Sequence, residues 1–295
     1  MLFLSLPQSF LQMNTIFISI LIEALPFVVL GVFIAGIIQI FVSEELVARI
    51  MPKNPVLAVL FASFLGALFP ACECGIVPIV RRLVQKGVPI YAGVAFMLTG
   101  PIINPVVLFS TYVAFGSNWS MPLYRAGGAV VVSVVVGLIL AFFYKGDGLK
   151  ITPEHHHHTH EKLSVKQKLG ETLNHAVEEF FSMGKYLVIG SLIAAAVQTY
   201  VKTSTLLAIG QGQASSSLVM MGLAFVLSLC SEADAFIASS FRSTFSTGSI
   251  VAFLVFGPML DMKNLLMMLS AFKTKLVLVT VVSLSVVVFL YSMLF

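Results

Sequence analysis

Apolar stretches long enough to cross a bilayer follow one another along almost the whole chain, at about residues 15–42, 55–80, 88–115, 122–144, 180–201, 217–237, 249–272 and 276–295. Each is near or above the ~20 residues that a transmembrane helix needs. Charged residues make up 10% of the 295, and the mean hydropathy is +1.01. A soluble domain could not cover its surface with so few polar groups. The expected fold is therefore an all-α polytopic membrane protein of about eight transmembrane helices. Its membrane partner is the lipid bilayer, crossed many times.

The net charge is +4, but the basic residues are spread through short loops, with no dense patch and no interleaved aromatics. Nucleic acid is not an expected partner. With four spans before the central loop, positive-inside counting places the amino terminus, that loop and the carboxyl terminus in the cytoplasm. Lys263, Lys273 and Lys275 fit this poorly, because they fall outside. Residues 1–14 contain no Lys or Arg and no short apolar core ending in a cleavage site, so the first span is expected to stay. Trp119, Tyr112, Tyr124 and Tyr200 read as interface anchors.

Laid over itself at an offset of 157 to 159 residues, the sequence pairs like with like three times in order. Residues 30–39 match 189–198, Cys72 falls on Cys230, and Gly100-Pro101-Ile102-Ile103-Asn104 falls on Gly257-Pro258-Met259-Leu260-Asp261. This predicts two homologous four-span halves with broken helices at their interface, residues 1–144 and 179–295. Such repeats point to a transporter with its site between them. Four spans per half give a pseudo-axis along the membrane normal, whereas a re-entrant stretch would change the parity and allow an inverted repeat. The segment between them, 145–178, is expected to be a cytoplasmic linker that holds all six histidines. His155, His156, His157, His158 and His160 are candidate transition-metal ligands. No other cofactor is expected. Residues 164–179 are expected to form an amphipathic helix leading into the fifth span.

All three cysteines sit where an apolar span is interrupted by acids, in Pro70-Ala71-Cys72-Glu73-Cys74-Gly75 and in Cys230-Ser231-Glu232-Ala233-Asp234. In an unbroken helix, residues two apart point in opposing directions, so Cys72 and Cys74 can face one ligand only if the helix is broken. Pro70, Gly75 and Pro78 argue that it is. One buried Cys is ordinarily a small hydrophobe. Three beside Glu73, Glu232 and Asp234 form a set of soft thiolates and compensating carboxylates suited to thiophilic cations. A second pair of breaks, with Pro101 and Pro258 expected to start half-helices, adds Asn104 and Asp261. Glu23, some two turns into the first span, is a candidate for proton or ion coupling. Arg242 follows Asp234 closely enough to pair with it.

Pro70-Ala71-Cys72-Glu73-Cys74-Gly75, Pro78-Ile79-Val80-Arg81-Arg82-Leu83, Lys86-Gly87-Val88-Pro89, Gly100-Pro101-Ile102-Ile103-Asn104-Pro105 and the Cys230–Ala238 segment together resemble the bacterial predicted-permease family. That family includes efflux permeases for trivalent organoarsenicals. The resemblance implies a multi-pass permease of the bacterial cytoplasmic (inner) membrane rather than an enzyme, often accompanied by a second membrane protein. The reading is of a thiophilic metal ion, metalloid or small metal-linked solute moved across the membrane, in the direction of export. A structural or regulatory subunit of a membrane complex, and a membrane thiol oxidoreductase cycling Cys72 and Cys74, are the alternatives.

Overall fold

The computed structural model describes residues 8–69, 72–146, 148–150, 165–200 and 212–295, with only the backbone for 165–169. Its regular structure is helical. α1 (Gln8–Phe41) is followed by the short α2 (Glu44–Ile50), then α3 (Pro55–Leu68), α4 (Glu73–Gln85), α5 (Ile90–Thr99), α6 (Pro105–Ala114) and α7 (Ser120–Phe143). After them come α8 (Val165–Tyr200), α9 (Gln213–Leu227), α10 (Ser231–Ser240), α11 (Thr247–Met259), α12 (Met262–Ala271) and α13 (Thr274–Ser292). The end of the expected linker is thus helical and continuous with α8.

Eight unbroken crossings are not what forms. Five segments are long and apolar enough to span a membrane, Gln8–Phe41, Ser120–Phe143, Gly170–Tyr200, Thr247–Ala271 and Thr274–Ser292, or six if α2 and α3, bent by 105°, count as one. The three remaining apolar runs of the sequence, and the run at 249–272, carry their own stop and start signals, to which hydropathy is blind. Asn104 Oδ1 accepts from the Val106 N–H at 2.9 Å with Pro105 in the first turn of α6, and Asp261 Oδ1 accepts from Asn264 N–H at 2.6 Å. Cys230 Sγ accepts from Ala233 N–H at 3.4 Å. Ser228, in the left-handed region at φ 45°, ends α9. The half-helix after the first Gly-Pro pair starts at Pro105 and not at Pro101, while Pro258 falls in the last turn of α11.

The breaks let the chain turn back inside the bundle. α3 runs beside α5 in the same direction, since Gly66 sits against Phe96 and Thr99, and Val59 and Ala95 both meet Gly137. α4 runs the other way: Gly93 lies against Val80 and Val84, and Gly100 against Ile76. α3 and α4 therefore enter from and return to one end, where Leu46, Ile50, Leu83, Val88 and Ala92 line a common apolar cleft. The second pair behaves alike. Ser216 Oγ is 2.6 Å from Ser249 Oγ at the start of α9 and α11, while Ala224 and Asp234 meet Gly257 at the far end of α11. α10 then runs back toward Arg242, Phe245 and Thr247.

α1 and α8 lie side by side in opposite directions. Gly36 meets Thr172, whereas Ala24 and Gly190 both lie at the level of Lys263. A Cβ on Gly31 would collide with the Gly75 carbonyl, so α1 and α4 touch backbone to backbone. On the inner side Arg81 and Arg82 share one carboxylate, each donating to Glu179 of α8 at 2.7 Å. Residues 248–259 of α11 are buried on every side, while Ile22, Phe181 and Leu290 face outward. That division is the one expected of a helix bundle in lipid.

Candidate functional site

The inner ends of the broken helices come together. Cys72 caps α4, so its first turn carries Glu73 and Cys74 inward, and Pro78 one turn later cannot donate to the Cys74 carbonyl. Cys230 holds the same position before α10, there with its Sγ accepting from Ala233 N–H, and sets Ser231, Glu232 and Asp234 in that helix's first turn. Between them lies a small cavity lined by Ile20, Glu23, Ala24, Phe27, Cys72, Glu73, Cys74, Cys230, Glu232 and Lys263. Its free space of about 10 Å³ is room for roughly one water molecule. Cys72 and Cys74 border it from α4, Cys230 from α10 and Glu23 from α1.

Glu73 is 2% exposed. One of its oxygens accepts from Ser231 Oγ at 3.3 Å, and the other lies 3.4 Å from Lys263 Nζ. Lys263 also donates to Asp261 Oδ2 at 2.6 Å and to the Ser228 carbonyl at 2.7 Å. Arg125 is wholly buried and donates to Thr111 Oγ1 at 2.8 Å and to the Ser231 carbonyl at 2.9 Å. Asp234 and Glu232, in the first turn of α10, lie within electrostatic range of it. Asp234 Oδ2 has no hydrogen-bond partner among the described residues and packs against Gly257, where a Cβ would come within 2.9 Å. Buried charges of both signs compensate one another here, which is how ionisable groups persist at membrane depth.

Of the residues singled out in the sequence, Glu23, Cys72, Glu73, Cys74, Cys230 and Glu232 line the cavity. Asp261 holds Lys263, Asp234 lies against Gly257 of α11 with one oxygen unpartnered among the described residues, and Asn104 caps α6 away from the cavity. His155, His156, His157, His158 and His160 lie outside the described residues. Arg242 does not pair with Asp234: it donates to the Phe115 carbonyl at 3.4 Å and lies over the Phe115 ring. Among the described residues no three His, Cys, Asp or Glu side chains are arranged to hold a metal ion, so the sulfurs and carboxylates do not converge on one point in this conformation. Sequence reasoning missed Lys263 and Arg125 as site residues, counting Lys263 only in the orientation argument. Lys263 was detectable as a charge two residues from Asp261 inside an apolar run.

Discontinuous helices whose inner ends meet around buried charged groups define the class of polytopic membrane transport proteins. The chain belongs to the predicted permease family, which it matches from residue 9 to residue 295. It is 65% identical over 287 residues to the UPF0718 protein YcgR of Bacillus subtilis (strain 168), covering 97% of this chain and 98% of that one. It is 45% identical over 293 residues, 99% of this chain and 97% of the relative, to a putative two-component membrane permease complex subunit of Streptococcus mutans. A weaker likeness, 25% over 136 residues, reaches the UPF0718 protein MJ0584 of Methanocaldococcus jannaschii, covering 45% of this chain and 37% of that one. No solved structure matches.

Proposed function

We propose that the chain is the membrane-embedded subunit of a permease that exports a thiophilic cation, metalloid or small metal-linked solute, passing it between the cavity thiols. The observation that carries this reading is that all three cysteines, together with Glu23, Glu73 and Glu232, line one cavity. Thiolates favour soft ions, and the carboxylates offset the charge such cargo brings. A substrate larger than the present space enters by opening the helix breaks, so that Cys72 or Cys74 on α4 and Cys230 on α10 bridge it. Glu23, which lines the same cavity as Cys230, is the proton or ion-coupling group in this scheme, and Asn104 and Asp261 hold the paired breaks. The histidine-rich segment 155–160 tunes the response to transition metals.

The architecture proposed is a pair of inverted halves, each of three crossings and one re-entrant hairpin. The sixth crossing is α5 with α6. Supporting it, α1 and α3–α7 recur in order as α8–α13, Cys72 and Cys230 cap corresponding helices, and Glu73 meets Ser231, 158 residues on. The opposed directions of α1 and α8 fit an inverted repeat. One end then gathers Arg49, Lys53, Lys86, Lys145, Lys150, Lys273 and Lys275, and the other has Arg242. Positive-inside reasoning makes the first end cytoplasmic. The central segment keeps its cytoplasmic place, Lys273 and Lys275 join it there, and the starts of α1 and the end of α13 move outside, contrary to the parity of four plain spans per half.

By analogy with the Streptococcus mutans relative, a second membrane subunit completes the permease. The test is a sensitivity screen of a deletion strain against soft metal ions, trivalent metalloids and organoarsenicals, with intracellular accumulation as the readout. The expected result is hypersensitivity with raised accumulation of a thiol-reactive compound, restored by the chain with its partner. Unchanged accumulation of every thiol-reactive compound, with altered accumulation of a hard or organic solute, contradicts it.

A further inference from the structure

Lys263 is held as a free cation would be. Its ammonium, 3% exposed as a residue, meets three oxygens from three separate segments: Asp261 Oδ2 at the start of α12, the Ser228 carbonyl at the end of α9, and Glu73 Oε1 in the first turn of α4. Two are carboxylates, and the third is a carbonyl at a left-handed residue outside the regular helical ladder. Carboxylates with unwound main-chain carbonyls are what broken-helix transporters offer to monovalent cations. Two of its N–H donors are hydrogen-bonded, to Asp261 Oδ2 and the Ser228 carbonyl, and Glu73 Oε1 completes the shell as an ion pair at 3.4 Å. Under the pairing of Gly100–Asn104 with Gly257–Asp261, the place of Lys263 in the first half is taken by Val106. The same kind of helix break therefore forms in this chain without a lysine.

We propose that the Lys263 ammonium is a tethered cation filling a latent monovalent-cation site made by Glu73, Asp261 and the Ser228 carbonyl. The tether makes the closed state independent of external sodium or potassium, and it makes cationic cargo in the adjoining cavity compete with Lys263 for Glu73. The proposal stands on this geometry whichever cargo the permease carries.

Removing the tether should expose the site. Lys263→Ala and Lys263→Gln are purified in detergent, and their thermal midpoints are measured in choline, sodium, potassium and methylammonium chlorides at equal ionic strength. The wild type should melt alike in all four. At least one variant should be stabilised by a small cation over choline by about 5 °C, the shift expected from a specifically bound ligand well above its Kd. The double variant Lys263→Ala/Glu73→Gln should lose most of that response. Indifference of both single variants to the cation, failure of both to fold in every salt, or an equal response of the wild type would overturn the proposal. Because no transported substrate is involved, a negative result here leaves the thiol reading standing, and the reverse also holds.

Discussion

Arg125→Met should destabilise the protein by about 3–5 kcal/mol, the usual cost of removing one partner from a buried ionic group. Arg125 is fully enclosed, ties the Ser231 carbonyl and Thr111 to α7, and faces Asp234. Met preserves most of the length but leaves Asp234 and Glu232 without that charge, and the Ser231 carbonyl without its donor. The double variant Arg125→Met/Asp234→Asn should recover a large part of the loss, because a neutral pair costs far less in an apolar interior than a lone carboxylate. Thermal unfolding of both variants in detergent checks this. Equal loss in the single and double variants would show that Arg125 acts through packing and its two hydrogen bonds, with Asp234 uninvolved.

The second large effect is on transport. Replacing Cys72, Cys74 and Cys230 together by Ser should abolish export while leaving the fold nearly unchanged. Serine matches the thiol in size, but its hydroxyl is a poor substitute for a thiolate toward soft ions. A packing role predicts the reverse order, because Ala would be tolerated while each Ser brings a polar group costing roughly 1–3 kcal/mol into an apolar niche. Cys72 and Cys230 are only half-buried and border the cavity, whereas Cys74 is fully buried. Of the single variants, Cys74→Ser should therefore cost the most stability. Measuring accumulation and thermal midpoint on the same Ser and Ala variants separates the two roles.

The helix breaks were legible because they are written locally. Gly100, Pro105 and Asn104 end one helix and start the next, as Gly257 and Asp261 do later, and Cys72 with Glu73 matches Cys230 with Glu232. What the chain does after a break is not local. Whether α4 continues across or turns back beside α3 is decided by Gly31 against Gly75 and by Gly93 against Val80 and Val84, contacts between segments far apart in sequence. Such turns leave five or six segments long and apolar enough to cross a membrane where the sequence suggested about eight. The cations were misplaced for a related reason. With the spans drawn as plain crossings, Lys263 and Arg125 fell at their ends. Only the bundle shows that both reach the carboxylates of the breaks. Arg242 was paired with Asp234 on sequence proximity, yet α10 carries it a full helix length away, to Phe115.

The measurement that bears most directly on the thiol cavity is bridging of its cysteines by a bifunctional soft probe. Purified wild-type protein is treated with a trivalent phenylarsenical, whose arsenic exchanges two hydroxyls for two thiols, and is then analysed by intact-mass and peptide mass spectrometry. The account predicts one arsenic per chain, linking Cys230 to Cys72 or Cys74, with the bridge lost in Cys230→Ser. Separate adducts on single cysteines, or a bridge confined to Cys72 and Cys74 with Cys230 free, would contradict a site shared by the two helix breaks.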